Sequence, residues 1–301
     1  MRRRSAMAHI TLDELNSLDR PAFIAALGDI FEHSPWVAEA SYASRPFASL
    51  ASLYEAMSGA VRAAGQELQT ALITAHPDLA GKAAREGTLT TASTNEQAGA
   101  RLDQLTEQEF ADFHRLNAAY RSKFGMPFII CVRRHGKESI LRQFELRLGN
   151  ENAAERNAAL TEIFRIAALR LDQGVSAAER LKVHGRLSTH VLDTQRGAPA
   201  QGVAVELFEV ASAGRPRLIA STVTNADGRT ERPLLADQPV PIAEYELRFG
   251  VDAYFARQGV ATADPPFLGS VPVRFSVAEP EAHYHVPLLV TPWSYSTYRG
   301  S

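Results

Sequence analysis

The sequence predicts two domains, an all-α domain followed by an all-β sandwich. Three observations predict this. The length of 301 residues exceeds that of one typical domain. Apolar residues recur at helical spacing through the first part of the chain, and they alternate with period two through the last part. We therefore place the helical domain at residues 1–172, a short linker at 173–182 and the β domain at 183–301.

Capping signals and apolar spacing predict the helices in order. Thr11 and Thr106 each begin a capping box, with a glutamate three residues later, and Asp19 is a predicted N-cap with Pro21 in the first turn. Apolar residues at i, i+3, i+4 or i+7 follow, as expected for one buried helix face. They are Phe23, Leu27, Ile30 and Phe31, then Phe110, Phe113, Leu116 and Tyr120, and in a late helix Leu160, Ile163, Phe164, Ala167 and Leu171.

Three segments after residue 183 alternate apolar and polar residues, which is typical of strands with one buried face. Their apolar residues are Val203, Val205 and Leu207, then Tyr245, Leu247, Phe249 and Val251, then Val271, Val273, Phe275 and Val277. The segment 225–228, Asn-Ala-Asp-Gly, is a turn signal between strands. Short strands separated by turns predict a β-sandwich.

Composition excludes several classes of function. The net charge of −2 gives no support for binding to nucleic acid or to an anionic membrane surface. No run of about 18 apolar residues predicts a membrane span. The single cysteine, Cys131, rules out an intrachain disulfide, indicates a cytoplasmic protein and is expected to be a buried apolar residue. Neither metal-ligand spacing nor a phosphate-binding glycine loop is present, so we expect no metal and no cofactor.

The C-terminal end carries histidines and aromatic residues up to its last residues, unlike the polar tails that are usually disordered. Alternation places His283 and His285 on one strand face. An isolated histidine is most often a surface or interface residue, so these positions need further support. It comes from residues 187–200, which contain His190, from residues 224–229, which end in Arg229, and from the terminal Tyr-Arg-Gly-Ser.

These three segments resemble the signatures of 5-hydroxyisourate hydrolase, the enzyme member of the transthyretin family, over residues 183–301. The resemblance implies a transthyretin-like sandwich, a homotetramer with sites at a subunit interface, and ring-opening hydrolysis without metal or cofactor. It implies that His190 and His285 position and activate water, that Arg229 orients the substrate and stabilises the oxyanion, and that Tyr298 and Ser301 line the site. Which histidine is the base stays open.

Two further motifs lie in the helical domain. His76 precedes Pro77, which disfavours helical geometry at His76 and places it at the end of an element. Taken alone, this pattern is more typical of a histidine at a helix C-terminus than of a ligand-binding histidine. Ser93, Glu96 and Gln97 form a second motif downstream.

Together these motifs resemble 2-oxo-4-hydroxy-4-carboxy-5-ureidoimidazoline (OHCU) decarboxylase over residues 8–172. The resemblance implies that His76 exchanges the proton and that Glu96 bonds the ring hydroxyl or ureido group. It implies a polar rim and main-chain contacts to the ring. The implied substrate-binding residues are Pro77, Ser93, Gln97, Phe128, Ile129, Ile130, Cys131, Val132 and Arg170.

Because the two resemblances are to consecutive steps of one pathway, we expect a bifunctional enzyme. It would hydrolyse 5-hydroxyisourate and decarboxylate the product to (S)-allantoin. Its partners would be these two small molecules and copies of itself, built on a hydrolase-domain tetramer. Two alternatives are a transthyretin-like ligand-binding protein, and a hydrolase whose helical domain is only an assembly module. Channelling between the sites stays open.

Overall fold

The computed structural model describes residues 10–80, 91–99, 102, 104–211 and 216–300. They form two compact units: residues 10–133 with 139–183, and residues 134–138 with 184–300. Residues 173–182, which we predicted as a linker, cluster with the helical unit. Within them Val175–Ser176 (β2) pairs in parallel with Ile10–Thr11 (β1).

The helical unit is built from short helices and one long one. In the described residues these are α1 (Leu12–Ser17), α2 (Arg20–Leu27), α3 (Pro35–Ser41), α4 (Leu50–Ala63), α5 (Gln66–Thr74), α6 (Thr91–Gly99), α7 (Glu107–Phe124), α8 (Lys137–Arg147) and α9 (Asn152–Gly174), with 3₁₀ turns at Tyr42–Ser44 and Val132–Arg134. No helix in this described part is long and apolar enough to cross a membrane.

The predicted caps are confirmed. The side chains of Thr11 and Thr106 accept hydrogen bonds from the backbone amides of Glu14 and Glu109, the third residues of α1 and α7. The side chains of these two glutamates in turn accept hydrogen bonds from the backbone amides of Thr11 and Thr106. Asp19 caps α2 by accepting from the Ala22 amide. The apolar faces that these caps orient are buried in one core, with Phe23, Leu27, Phe113, Tyr120 and Ile163 almost inaccessible.

The described residues of the β unit form three sheets, with strand orders β10-β9-β6-β7, β11-β3-β8 and β13-β12-β4-β5. The strands are β3 (Gly185–Ser188), β4 (Val191–Asp193), β5 (Ala198–Pro199), β6 (Ala204–Val210), β7 (Arg217–Val223), β8 (Leu235–Gln238), β9 (Ala243–Gly250), β10 (Ser270–Val277), β11 (His283–His285), β12 (Leu288–Val290) and β13 (Tyr295–Thr297). The predicted inward residues of β6, β9 and β10, such as Val205, Leu247 and Val273, are buried.

One predicted strand position is wrong. Val251 does not continue the β9 alternation but begins a helix, α10 (Val251–Arg257). The chain leaves the sheet after Gly250, and the amides of Val251 and Asp252 bond to the Gly269 carbonyl instead. Val251, Tyr254 and Phe255 are buried at helical spacing, so an apolar residue at 251 satisfies both patterns.

Candidate active sites

The helical unit contains a pocket of about 490 Å³ of empty volume, part of it open solvent. Helix α6 supplies polar side chains, α9 supplies Arg170, and the segment 128–132 supplies one wall. The predicted decarboxylase residues that line it are His76, Pro77, Ser93, Glu96, Gln97, Phe128, Ile129, Ile130, Cys131, Val132 and Arg170. The tertiary structure thus brings this whole predicted set together.

His76 lies just beyond the C-terminal end of α5 and is buried. Its Nδ1 is 2.9 Å from the carbonyl oxygen of Leu72. A carbonyl only accepts, so Nδ1 carries the proton and Nε2 of the neutral ring holds a lone pair. Burial lowers the pKa of His76 to about 4, although the Leu72 bond and the charge of Glu32 act in the other direction. At neutral pH His76 is therefore a proton acceptor.

Arg170 is held between two carboxylates. Its Nε and Nη2 donate to the two oxygens of Glu96 at 2.8 and 2.9 Å, and its Nη1 lies 2.9 Å from Glu32. Burial alone lowers the pKa of Arg170, but the bonds and charge of Glu96, with those of Glu32, outweigh it and raise the pKa. This guanidinium orients Glu96 in the pocket.

Glu32 is bonded to two of the pocket residues, Arg170 and Ser93, and sequence reasoning missed it. Its side chain is 2% exposed, and it also accepts a hydrogen bond of 3.1 Å from the Ser93 hydroxyl. A glutamate is seldom so deeply buried without a partner. The available signal was its place directly after the buried Phe31 on the predicted apolar face. No pattern among the sequence neighbours of Glu32 predicts that it pairs with Ser93 of α6 and Arg170 of α9.

The wall segment 128–132 is fixed by buried charges behind it. The Cys131 amide donates to Glu162 at 2.9 Å, and Arg147 donates to the Ile129 carbonyl at 2.7 Å. The Cys131 amide is thus engaged with Glu162. Cys131 itself is buried, as predicted.

Gln97 supports the turn that follows His76 and Pro77. Its side-chain oxygen accepts from the Ala80 amide at 3.1 Å. Ala80 has φ of +50°, a left-handed conformation that needs support in a residue other than glycine. Gln97 therefore both lines the pocket and holds the turn beside it.

In the β unit, strand pairing places the hydrolase residues together. His190 and Arg229 face each other in an isolated antiparallel bridge. Gly228, with φ of +70°, permits the turn before Arg229, and a Cβ there would lie 2.3 Å from the Val191 carbonyl oxygen. Only glycine fits, because both the conformation and the space exclude a side chain.

The ring of His190 is fixed in one tautomer. Asp227 hydrogen-bonds it through the backbone, and Nε2 is buried with no partner among the described residues. Nδ1 therefore makes the Asp227 bond as a donor, and Nε2 presents a lone pair. Burial, and then the charge of Arg229, lower the pKa of His190, so the neutral ring predominates at pH 7.

The C-terminal segment lies against His285. The Gly300 amide donates to the His285 carbonyl at 2.8 Å, and a Cβ on Gly300 would lie 2.8 Å from the imidazole Cδ2. Arg299 stacks over Tyr284 at 4.6 Å. Tyr298 is 58% exposed, and Ser301 lies outside the described residues.

Ser188 was also missed by sequence reasoning. It is paired in register with His285 on the neighbouring strand, and its Oγ lies 3.0 Å from His285 Nδ1 and 2.8 Å from His283 Nε2. Burial lowers the pKa of His285, and Arg229, His283 and His190 lower it further. Within the described residues no group of His, Cys, Asp and Glu is arranged to hold a metal ion.

Comparison with known proteins finds a family match for each of the two units. The OHCU decarboxylase family profile matches residues 16–172, and the HIUase/Transthyretin family profile matches residues 187–300. An OHCU decarboxylase of Haloferax volcanii is 42% identical over 171 residues, 57% of this chain and 99% of the relative. A 5-hydroxyisourate hydrolase of Halalkalibacterium halodurans is 50% identical over 117 residues, 39% of this chain and 98% of the relative.

A solved structure has the same two-part organisation. The crystal structure of an (S)-allantoin synthase is 35% identical, with a TM-score of 0.51, and the match covers 97% of this chain and 100% of that one. The pocket of the helical unit and the paired histidines of the β unit fall inside the two matched segments. The chain therefore belongs to the OHCU decarboxylase family in its N-terminal part and to the HIUase/transthyretin family in its C-terminal part.

Proposed function

We propose that this chain converts 5-hydroxyisourate to (S)-allantoin in two steps, each in its own domain. It is a bifunctional enzyme of urate degradation, with a 5-hydroxyisourate hydrolase domain fused to an OHCU decarboxylase domain. The observation that supports the proposal is that one chain gathers the predicted decarboxylase residues around a pocket in the helical unit and pairs His190 with Arg229 in the β unit. The chemistries of the two sites are consecutive, since the product of hydrolysis is the substrate of decarboxylation.

In the hydrolase site we assign His190 and His285 to the attacking water. Both rings are neutral at pH 7, because burial and the nearby Arg229 lower their pKa values. The lone pair on His190 Nε2 accepts a hydrogen bond from the water and orients it. Arg229 supplies fixed positive charge for the oxyanion that forms on the attacked carbonyl. Tyr298 and Ser301 are proposed to complete the lining.

In the decarboxylase site we assign His76 to proton transfer. When the bond to the carboxylate breaks, the electron pair passes into the ring. His76 Nε2, the acceptor of the neutral ring, takes the proton of the ring hydroxyl, and the imidazolium then delivers a proton to one face of the new stereocentre. The ring nitrogen that receives the electron pair takes one further proton from solvent, which balances the charge of the lost carboxylate. One histidine thus serves as base and then as acid, which requires no cofactor.

The other pocket residues are proposed to hold the substrate. Arg170 orients Glu96, so that Glu96 accepts a hydrogen bond from the hydroxyl or ureido group. Ser93, Gln97 and Arg170 form the polar rim, and Pro77 lines the pocket beside His76. The apolar wall of Phe128, Ile129, Ile130, Cys131 and Val132 packs on the ring, with main-chain amides at its oxygens. A rigid wall keeps the carboxylate out of the ring plane, where its bond overlaps the ring orbitals.

We propose a homo-oligomer built on a tetramer of hydrolase domains. Large apolar side chains near the C-terminus are exposed in the single chain, among them Trp293 at 56% and Tyr298 at 58%. Exposed aromatic clusters are typical of interfaces. The single, buried Cys131 supports a cytoplasmic location.

Circular dichroism during urate oxidation tests the whole proposal, with urate oxidase supplying fresh 5-hydroxyisourate and this protein present in catalytic amount. We expect rapid growth of a stable (S)-allantoin signal. Fast loss of 5-hydroxyisourate with racemic allantoin would indicate a hydrolase whose helical domain is silent. No acceleration would favour a ligand-binding protein.

A further inference from the structure

In the hydrolase site, His285 is one end of a hydrogen-bonded chain of three side chains, whose other two members, Ser188 and His283, have no role in the proposed hydrolysis. Ser188 is 8% exposed and lies between two imidazoles, 2.8 Å from His283 Nε2 and 3.0 Å from His285 Nδ1. Strand β11 places the two histidines on one face, and its parallel register with β3 sets Ser188 beside His285. The arrangement follows from period-two alternation on two paired strands.

A hydroxyl between two ring nitrogens has one proton to give. Ser188 must donate to one histidine and accept from the other, so the chain has two opposite polarities. In the first, His285 Nδ1–H donates to Ser188 and Ser188 donates to His283 Nε2, which leaves His285 Nε2 as a base. In the second, all bonds are reversed and His285 Nε2 carries a proton that it can give away.

The two ends of the chain lie in different surroundings. His283 is exposed, whereas His285 is covered by the C-terminal segment through Gly300. His283 borders an open surface cleft, also lined by His184, Arg186, Asp237 and Glu281. Protons at His283 can therefore exchange with water.

We infer that Ser188 and His283 form a proton relay that connects His285 to solvent during hydrolysis. This inference rests on the proposed hydrolase function. It assigns His285 as the group that exchanges the proton, with His190 as the acceptor that orients the water.

The steps balance. As water attacks, its proton passes to His285 Nε2, the Nδ1 proton passes to Ser188, the Ser188 proton passes to His283 Nε2, and His283 Nδ1–H is released to solvent. When the ring C–N bond breaks, His285 Nε2–H protonates the leaving nitrogen. The protons then return in the opposite direction. Ser188 gives its proton to His285 Nδ1, His283 Nε2 gives one to Ser188, and solvent gives one to His283 Nδ1. The relay ends in its starting polarity, and water is added across the C–N bond.

The charged groups around the relay keep its resting state neutral. Arg229 and His190 face His285, and Arg186 is close to both relay histidines. Asp237 and Glu281 are on the cleft side of His283. A positive charge on His285 is therefore disfavoured unless a proton leaves at the other end, which is what a relay provides.

The test uses the full chain and 5-hydroxyisourate made from urate by urate oxidase, with kcat and KM measured separately. We expect Ser188→Ala and His283→Gln each to lower kcat about 10- to 100-fold, with little change in KM. Gln keeps a hydrogen-bonding group but cannot ionise, so a merely structural role would survive it. Ser188→Thr, which keeps the hydroxyl, should retain most of the rate.

A second measurement separates a relay from a folding defect. Added imidazole should restore turnover in His283→Ala, whose folded site can admit the buffer, but not in Ser188→Ala, whose internal link is missing. His184→Gln, in the same cleft but outside the relay, serves as the matched control and should keep the wild-type rate.

Two outcomes distinguish the relay from the function on which it rests. Wild-type kcat in both Ser188→Ala and His283→Gln, with His285→Gln inactive, would overturn the relay and leave the hydrolase assignment intact. Wild-type hydrolysis by His285→Gln would overturn the proposed hydrolase mechanism itself.

Discussion

Burial in the folded chain determines the protonation state of individual residues in this protein. His76 has a pKa of about 4, against about 6.5 for an ordinary histidine, because the folded chain buries it. The unfolded chain therefore binds more protons than the folded one between these two values. The contribution of neutral His76 to the free energy of unfolding is therefore fully present above pH 6.5, and it is lost as the pH falls toward 4.

The first prediction concerns this pH dependence. Within that window, protonation of His76 lowers the free energy of unfolding by about 1.4 kcal/mol for each pH unit, and by about 3 kcal/mol in total. Urea unfolding of the helical domain, followed between pH 7 and 5, should show about 2 kcal/mol of this loss. His76→Gln should unfold with a shallower pH dependence over the same range. Equal slopes for the two proteins would contradict the buried neutral state of His76.

The second prediction concerns the reaction at the same residue. His76→Gln should slow decarboxylation by about 10²- to 10⁴-fold, the usual contribution of a general acid–base. Hydrolysis in the β domain should proceed at the wild-type rate and serve as an internal control. Circular dichroism should then show a persistent OHCU signal and no enantiopure allantoin. Undiminished (S)-allantoin formation would refute the role of His76.

The third prediction concerns Glu32, which pairs with the buried Arg170. Glu32→Gln removes one of two carboxylates from a guanidinium that is 4% exposed, so about 3 kcal/mol of stability should be lost. Loss of the second carboxylate also lets Arg170 shift, so decarboxylation should slow. The matched control is Glu39→Gln, which breaks a surface pair with Arg20 and should cost less than about 1 kcal/mol. Thermal unfolding that ranks the two variants equally would argue against the buried pair.

At the scale of elements, the C-terminal segment packs on the hydrolase site through a glycine. A Cβ on Gly300 would lie 2.8 Å from Cδ2 and 3.2 Å from Cβ of His285. Such distances require the ring or the segment to move, because real side chains do not approach so closely.

The fourth prediction follows from this contact. Gly300→Ala should lower the kcat of hydrolysis by at least about 10-fold, since small displacements of catalytic groups are costly, and decarboxylation should be unchanged. Gly269→Ala is the control in the same domain, because its new Cβ would meet only Asp252 at 4.0 Å. Steady-state assays of both activities in both variants provide the measurement. If the two variants hydrolyse 5-hydroxyisourate equally fast, the close contact between Gly300 and His285 does not affect the kcat of hydrolysis.

At the scale of the whole molecule, the residues proposed for the two reactions lie in separate compact units. The fifth prediction is that His76→Ala and His285→Ala, each unable to complete the pathway alone, restore (S)-allantoin formation when mixed. OHCU released by the first variant should reach the second, with a lag that shortens as protein concentration rises. Circular dichroism measures both lag and rate. Failure of the mixture to form (S)-allantoin would show that the intermediate does not pass between chains.

Much of the fold could be predicted because its signals are local. Caps at Thr11, Asp19 and Thr106, and alternation in β6 and β10, depend on neighbours within a few residues, and the structure confirms them. Val251 was predicted wrongly because an apolar residue there fits the end of a strand and the start of a helix alike. In the folded chain the Val251 amide donates a hydrogen bond to the carbonyl of the distant Gly269 and not to a neighbouring strand.

The sequence by itself determined the two fold classes and the two families, and it predicted the reactive side chains, because periodicity and motif spacing are properties of short segments. Only the tertiary structure decided what surrounds those side chains. Glu32 meets Ser93 across 61 residues of chain, and Ser188 meets His283 across 95. These contacts exist because distant elements pack together, and burial there sets the charge and tautomer of each reactive group. No local pattern encodes which distant partner a buried polar group will find.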